Sequence, residues 1–249
     1  MKVSSPGRGS QISDPGRGAK RIEDRATLRE AFGRIVAHEL RTPVTTIYGG
    51  AQLIADPSVS EETRLEAARS VAAEAERLYR TVEDLVVLAR IDELTDLDDA
   101  PILLQRFLPN VLRAEEPRFS SARFVADVPG DLPAVAGRQG YVEQVVRHLL
   151  VGAARLNPPD GLVRLIARAR AHDVEVRVVA DGPPITAEEA GMMFDLFARL
   201  PHTAADASGA NLGLFVARRI VEAMGGTIHA RPTRRPTLAF RLRIFPDEG

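Results

Sequence analysis

Cysteine is absent from this 249-residue chain, which removes disulfides, thiolate metal sites and a cysteine nucleophile from the chemistry open to it. The same absence agrees with a reducing compartment. Lysine occurs only at Lys2 and Lys20, so positive charge rests almost wholly on arginine, a bias we read as genome composition rather than function. Long apolar runs are missing as well. None approaches the roughly 20 residues that span a bilayer, and Met1 to Ala19 lacks the apolar core of a secretory signal. A cytoplasmic location is the expectation. Neither sign of charge is in excess: 33 Lys and Arg against 34 Asp and Glu give a net charge of -1 and a pI near 6.5. There is no global field to draw in nucleic acid or an anionic membrane surface. What is present, 45% hydrophobic and 27% charged residues, suits one or two soluble domains with a buried core.

Residues 1 to 20 hold Pro-Gly-Arg-Gly twice, at Pro6 to Gly9 and Pro15 to Gly18, and are expected to be a flexible leader. From Arg21 to Ala55 the apolar residues Leu28, Phe32, Ile35, Val36, Leu40, Val44, Ile47, Leu53 and Ile54 recur at helical steps. Asp56-Pro57-Ser58 interrupts the pattern. It restarts at Ser60, an N-cap with Thr63 where a capping box prefers Glu or Gln, and runs through Leu65, Val71, Ala75, Leu78, Val82, Leu85 and Ala89 to about Asp92. Two long helices with a short turn make an antiparallel hairpin. One hairpin cannot bury so wide an apolar face alone, so two copies pairing as a four-helix bundle are expected, with residues 21–93 as the dimerisation domain.

Residues 94–102 read as an acidic linker. From 103 to 249 the rhythm becomes mixed. Strands are expected at Leu103 to Phe107, Arg123 to Val128, Leu162 to Ala171, Val174 to Ala180, Thr227 to Ala230 and Thr237 to Phe245. Helices are expected at Pro109 to Glu116, Arg138 to Leu156, Ala187 to Met193 and Leu212 to Met224. The implied fold is an α+β sandwich, a mostly antiparallel sheet with helices on one face.

Midway along the first helix stands His38-Glu39-Leu40-Arg41-Thr42-Pro43. A neutral imidazole is a good nucleophile near pH 7, and an adjacent carboxylate, Glu39, can accept its proton and orient it. Thr42 lies four residues on, on the same helical face, where a hydroxyl can position a water for attack on a phosphoryl group. Pro43 removes a backbone donor just after the site and should bend the helix there.

These six residues resemble the H-box of the HisKA class of sensor histidine kinases. The second half resembles the GHKL (Bergerat) ATPase-type domain that follows in such kinases. Phe194-Asp195-Leu196-Phe197 is similar to the F-box, Gly209-Ala210-Asn211-Leu212-Gly213-Leu214 to the G2-box, and Gly225-Gly226-Thr227-Ile228 to the turn after the last helix. The resemblance covers about Arg21 to Phe245. It implies autophosphorylation of His38 from ATP with Mg²⁺, transfer to an aspartate of a response-regulator receiver domain, a homodimer, and an upstream sensor domain or subunit. It also implies that the acidic residue serves kinase and phosphotransfer steps and the threonine a phosphatase step.

On that pattern the ATP-binding residues are His148, Gly152, Arg155, Asp181, Gly182, Gly209, Asn211, Leu212 and Gly213, and no metal ligand is assigned. The N-box asparagines of the family fall at His148 and Gly152, and glycine has no side chain to give a metal. Arg155 can keep the phosphate contact of a lysine. In the G1-box the adenine-binding aspartate becomes Ala180, a one-residue slip brings in Asp181, and Pro184 replaces a second glycine. Losing a buried hydrogen bond to adenine costs about 1–3 kcal/mol, so weakened nucleotide binding is expected. Asn211, in place of glycine, still tolerates a left-handed backbone. Three functions fit: an active sensor kinase; a degenerate kinase acting as a phosphatase or phosphotransfer protein; and a non-enzymatic dimeric scaffold that binds a receiver domain.

Overall fold

The computed structural model describes residues 15–91, 100–119, 122–196, 198 and 212–246. The chain divides into two compact units, 1–75 and 76–249, so the division falls inside the second helix.

The first unit holds helix α1, Pro15–Ala55, and the start of helix α2, Glu61–Ala89. α1 begins at Pro15, six residues before Arg21, so the end of the expected leader is helical; residues 1–14 lie outside the described residues. Proline is at ease at a helix start, and extending an existing helix is far easier than nucleating one. The turn is fixed by side chains. Asp56 accepts hydrogen bonds from the Ser58 amide at 2.8 Å and hydroxyl at 2.6 Å, and Ser60 caps α2 by accepting from the Thr63 amide at 3.2 Å. The helices close tightly beside it: a Cβ on Gly50 would stand 2.5 Å from Val71 Cγ2.

In the second unit, five strands order as β2-β4-β5-β7-β6: β2 Ala122–Asp127, β4 Gly161–Ala169, β5 Asp173–Ala180, β7 Thr237–Arg243 and β6 Thr227–Arg231. β2 pairs parallel with β4 and the other neighbours are antiparallel. β1 Ala100–Ile102 and β3 Val135–Gly137 make a separate two-stranded sheet. Residues 94–99 of the expected linker lie outside the described residues, whereas 100–102 are strand and not linker.

Alternation sets the faces of the large sheet. Val163, Leu165 and Ala167 of β4, Val174, Val176, Val178 and Ala180 of β5, and Leu238, Phe240 and Leu242 of β7 are fully buried and stand in register. They form the core with α3 Leu104–Glu115, α4 Gln139–Arg155 and α6 Leu212–Ala223. A short helix, α5 Ala187–Met192, is held by a reciprocal capping box between Thr186 and Glu189.

The strand expected at Leu103 to Phe107 is instead the first turn of α3. Leu104, Phe107, Leu108 and Leu112 are the buried positions, spaced for a helix rather than a strand. Pro109, the sixth residue of α3, sits inside that helix without ending it, at the loss of the one intrahelical bond an amide there would have made.

Candidate phosphoacceptor and nucleotide sites

His38 is exposed on α1 while its neighbour Glu39 is buried, a consequence of the 100° step between successive helical residues. Pro43 is buried one turn on and contributes no amide to the helical ladder. Three threonine hydroxyls follow as back-bonds to the helix: Thr42 to the His38 carbonyl at 3.3 Å, Thr45 to Arg41 at 2.9 Å and Thr46 to Thr42 at 3.3 Å. Such bonds bend helices slightly. The Thr42 hydroxyl is thus tied to the backbone of His38, and a water-positioning role requires it to rotate away. The arrangement offers an accessible imidazole on a locally softened helix.

The nucleotide-like half is built on the contact of α4 with α6. Gly213, in the first turn of α6, lies against the His148 ring, since a Cβ there would stand 2.5 Å from His148 Nδ1. Gly152, one turn further along α4, meets Leu214 and Leu238: a Cβ would lie 3.1 and 3.2 Å from their δ-methyl groups. Gly182 is required by backbone, because its Cβ would fall 1.8 Å from the carbonyl oxygen of Leu156 at the end of α4. Arg155 is exposed in the last turn of α4, and Leu212 is buried at the start of α6. Gly209, Asn211 and Phe197 lie outside the described residues. Phe194 is buried.

Two features of an Mg²⁺–ATP site do not fit these residues. At the metal position His148 Nε2 is hydrogen-bonded to Asp84 Oδ1 at 2.8 Å, and the room an asparagine would need at 152 is taken by Leu214 and Leu238. Among the described residues no three His, Cys, Asp or Glu side chains converge as a metal site. At the adenine position Ala180 is fully buried opposite Val163. The slip that would offer Asp181 in its place is not found. The Asp181 carboxylate accepts from Arg164 at 3.0 Å and from the Leu162 amide at 3.2 Å, with Arg235 at 3.5 Å. Burial pushes its pKa up, but Arg164, the Leu162 amide and Arg235 outweigh that and hold it below the usual value. The residue following Ala180 is sent to the side of the sheet that carries Arg164, away from the helices.

Two polar assemblies escaped the sequence. On the sheet face opposite the helices, Glu175 is fully buried yet bonded to Arg170 at 2.6 Å and Arg241 at 3.1 Å, with Arg231 also bonded and Arg177 at 3.8 Å. At the end of α2, Arg80 forks onto Glu115 at 3.0 and 3.1 Å, and Asp84 takes hydrogen bonds from α4. The one available signal for Glu175 was an acid at an outward position of an alternating strand among arginine-rich neighbours. Asp84 gave less: an acid next to the seam position Leu85, with no partner readable.

Residues 28–94 match the family described as His Kinase A (phospho-acceptor) domain, and 137–247 match histidine kinase-, DNA gyrase B-, and HSP90-like ATPase. Adaptive-response sensory kinase SasA of Synechococcus sp. is 30% identical over 243 residues, taking in 91% of this chain and 60% of its own. Sensor histidine kinase TrcS of Mycobacterium tuberculosis is 30% identical over 232 residues, or 91% of this chain and 45% of its own. Sensor protein kinase PmrB of Pseudomonas aeruginosa is 32% identical over 221 residues, 83% and 44% respectively. The chain spans about half the length of these curated relatives. Among solved structures, Acinetobacter baumannii histidine kinase AdeS superposes with a TM-score of 0.62 at 24% identity over 84% of this chain and 98% of that one. Histidine kinase ThkA, solved in complex with response regulator protein TrrA, gives 0.63 at 20% identity over 97% and 69%. These two establish the fold. The order is therefore that of a protein-histidine kinase, a phosphoacceptor helical region followed by an ATPase-related domain. More narrowly, the chain belongs to the sensor histidine kinases of two-component systems.

Proposed function

We propose that this chain accepts a phosphoryl group from ATP on His38 and passes it to an aspartate of a response-regulator receiver domain. The observation that carries the reading is an exposed imidazole inside His38-Glu39-Leu40-Arg41-Thr42-Pro43, ahead of an ATPase-related domain in the same chain. In the first step an imidazole nitrogen forms a bond to the γ-phosphorus, the bond to the bridging oxygen breaks, ADP leaves, and the ring proton passes to Glu39. In the second, the receiver carboxylate takes the phosphorus, the N–P bond breaks, and the imidazole regains a proton. Thr42 is the residue we assign to positioning a water that attacks the phosphorylated receiver aspartate, breaking its O–P bond to release phosphate and restore the carboxylate.

The nucleotide falls to the α4–α6 side of the second unit, with Arg155, Gly182, Leu212 and Gly213 among its neighbours, and the family resemblance adds Gly209 and Asn211 to the set. The substitutions at 152 and 180 lower affinity without removing the fold. Exposed Val44, Tyr48 and Leu65 on the helical hairpin support pairing with a second copy. Among the described residues no helix is long and apolar enough to cross a membrane, and the signal reaches this region from a further sensor domain or subunit.

Incubating the protein with γ-labelled ATP and Mg²⁺ tests the reading. Acid-labile, base-stable label on the wild type, absent from His38→Ala and chased onto a receiver domain, is the expected result. An unlabelled wild type overturns the autokinase step.

A further inference from the structure

Gln144 and His148 are four residues apart on α4 and share one face of it. That face meets the end of α2. Gln144 Nε2 donates to Asp84 Oδ1 at 2.7 Å, and His148 Nε2 is hydrogen-bonded to the same oxygen at 2.8 Å. Asp84 is 6% exposed, so an unpaired charge there would be costly, and both bonds are part of what keeps it. One turn earlier on α2, Arg80 forks onto Glu115 at the end of α3, with Arg147 of α4 at 3.5 Å from the same carboxylate. An acid and a base on consecutive turns of α2 thus find complementary partners on α3 and α4. The opposite edge of the His148 ring lies on Gly213, in the first turn of α6. His148 therefore bridges Asp84 to the helix start where backbone amides would meet phosphate.

We propose that Asp84 is an internal competitor for the nucleotide site. Its carboxylate holds the hydrogen-bonding edges of His148 and Gln144, and its charge repels phosphate arriving at the first turn of α6. Nucleotide entry then requires the last turns of α2 to release α4. This rests on the reading that α4 and α6 hold the nucleotide, and the test separates the two.

The intact chain is titrated with Mg²⁺–ATP by calorimetry as wild type, Asp84→Asn and Asp84→Ala, with melting temperatures recorded alongside. Asp84→Asn keeps an oxygen for both donors and loses the charge, so it folds even where the alanine variant does not. Expected is binding about tenfold tighter for Asp84→Ala, a smaller gain for Asp84→Asn, and in the wild type faster amide exchange over residues 80–89 on adding ATP. A lowered melting temperature with unchanged affinity makes Asp84 a structural contact and overturns the competitor, leaving the nucleotide reading intact. If no variant binds ATP, both fall together.

Discussion

The carboxylate of Glu175 stays charged down to about pH 2. Burial alone would raise its pKa, but hydrogen bonds from Arg170 and Arg241 and the charge of Arg231 reverse that. A free glutamate titrates at 4.5, so the unfolded chain takes up a proton before the folded one does. The stability contributed, up to about 3 kcal/mol, is complete above pH 4.5 and is lost as pH falls towards 2. His229, beside it, adds a second acid-sensitive group. Burial and the charges of Arg231 and Arg241 lower its pKa from 6.5, while Glu175 opposes them, and Arg231 Nε donates to its Nε2 at 3.0 Å. Protonation of the unfolded chain below pH 6.5 therefore also favours unfolding. We predict a melting temperature that declines from about pH 6 downward, with the decline below pH 4.5 flattened in Glu175→Gln, whose melting temperature at pH 7 is already lower. A pH series of thermal melts decides it, and parallel curves for the two proteins would show that Glu175 does not carry the dependence.

Helix–helix fit, rather than charge, governs what the elements tolerate. Gly152→Ala places a methyl 3.1 to 3.3 Å from Leu214 and Leu238, tight enough that the leucines must shift, and we expect a loss of about 1 kcal/mol by chemical denaturation. Gly182→Ala is far worse, because the obstacle at 1.8 Å is the main-chain oxygen of Leu156. It should yield little soluble protein, and normal expression with an unchanged melt would contradict the close approach. The elements were legible where the pattern was long. The alternation of β4, β5 and β7 and the helical spacing of α4 and α6 placed them within a residue or two. α3 was misread because Leu103 to Phe107 is a short apolar run before a proline, and such a run reads equally as a strand. β1 and β3 have three residues each, too few for a period to show. At the candidate sites, the motif around His38 could be read because it is contiguous, and the structure leaves His38 exposed. Asp84 and the fate of Asp181 could not, because their partners lie 60 or more residues away for Asp84 and 17 to 54 for Asp181.

At the scale of the whole molecule, the helical hairpin keeps an apolar surface that a single chain leaves in water. Val44 is 50% exposed and Tyr48, one turn on, 66%. Large exposed apolar groups at helical spacing mark an interface. We predict that the wild type is a dimer by light scattering and that Val44→Glu with Tyr48→Glu is a monomer whose second unit keeps its circular dichroism. A double variant that stays dimeric would move the interface elsewhere.

The packing of Leu214 onto Gly152 couples two positions of the site to each other. An amide at position 152 cannot be installed by one change, since Gly152→Asn meets two leucines, and shrinking Leu214 first opens a void. Each single step lowers stability before the pair restores it. An amide can be built in at 152 only by changing 152 and 214 together.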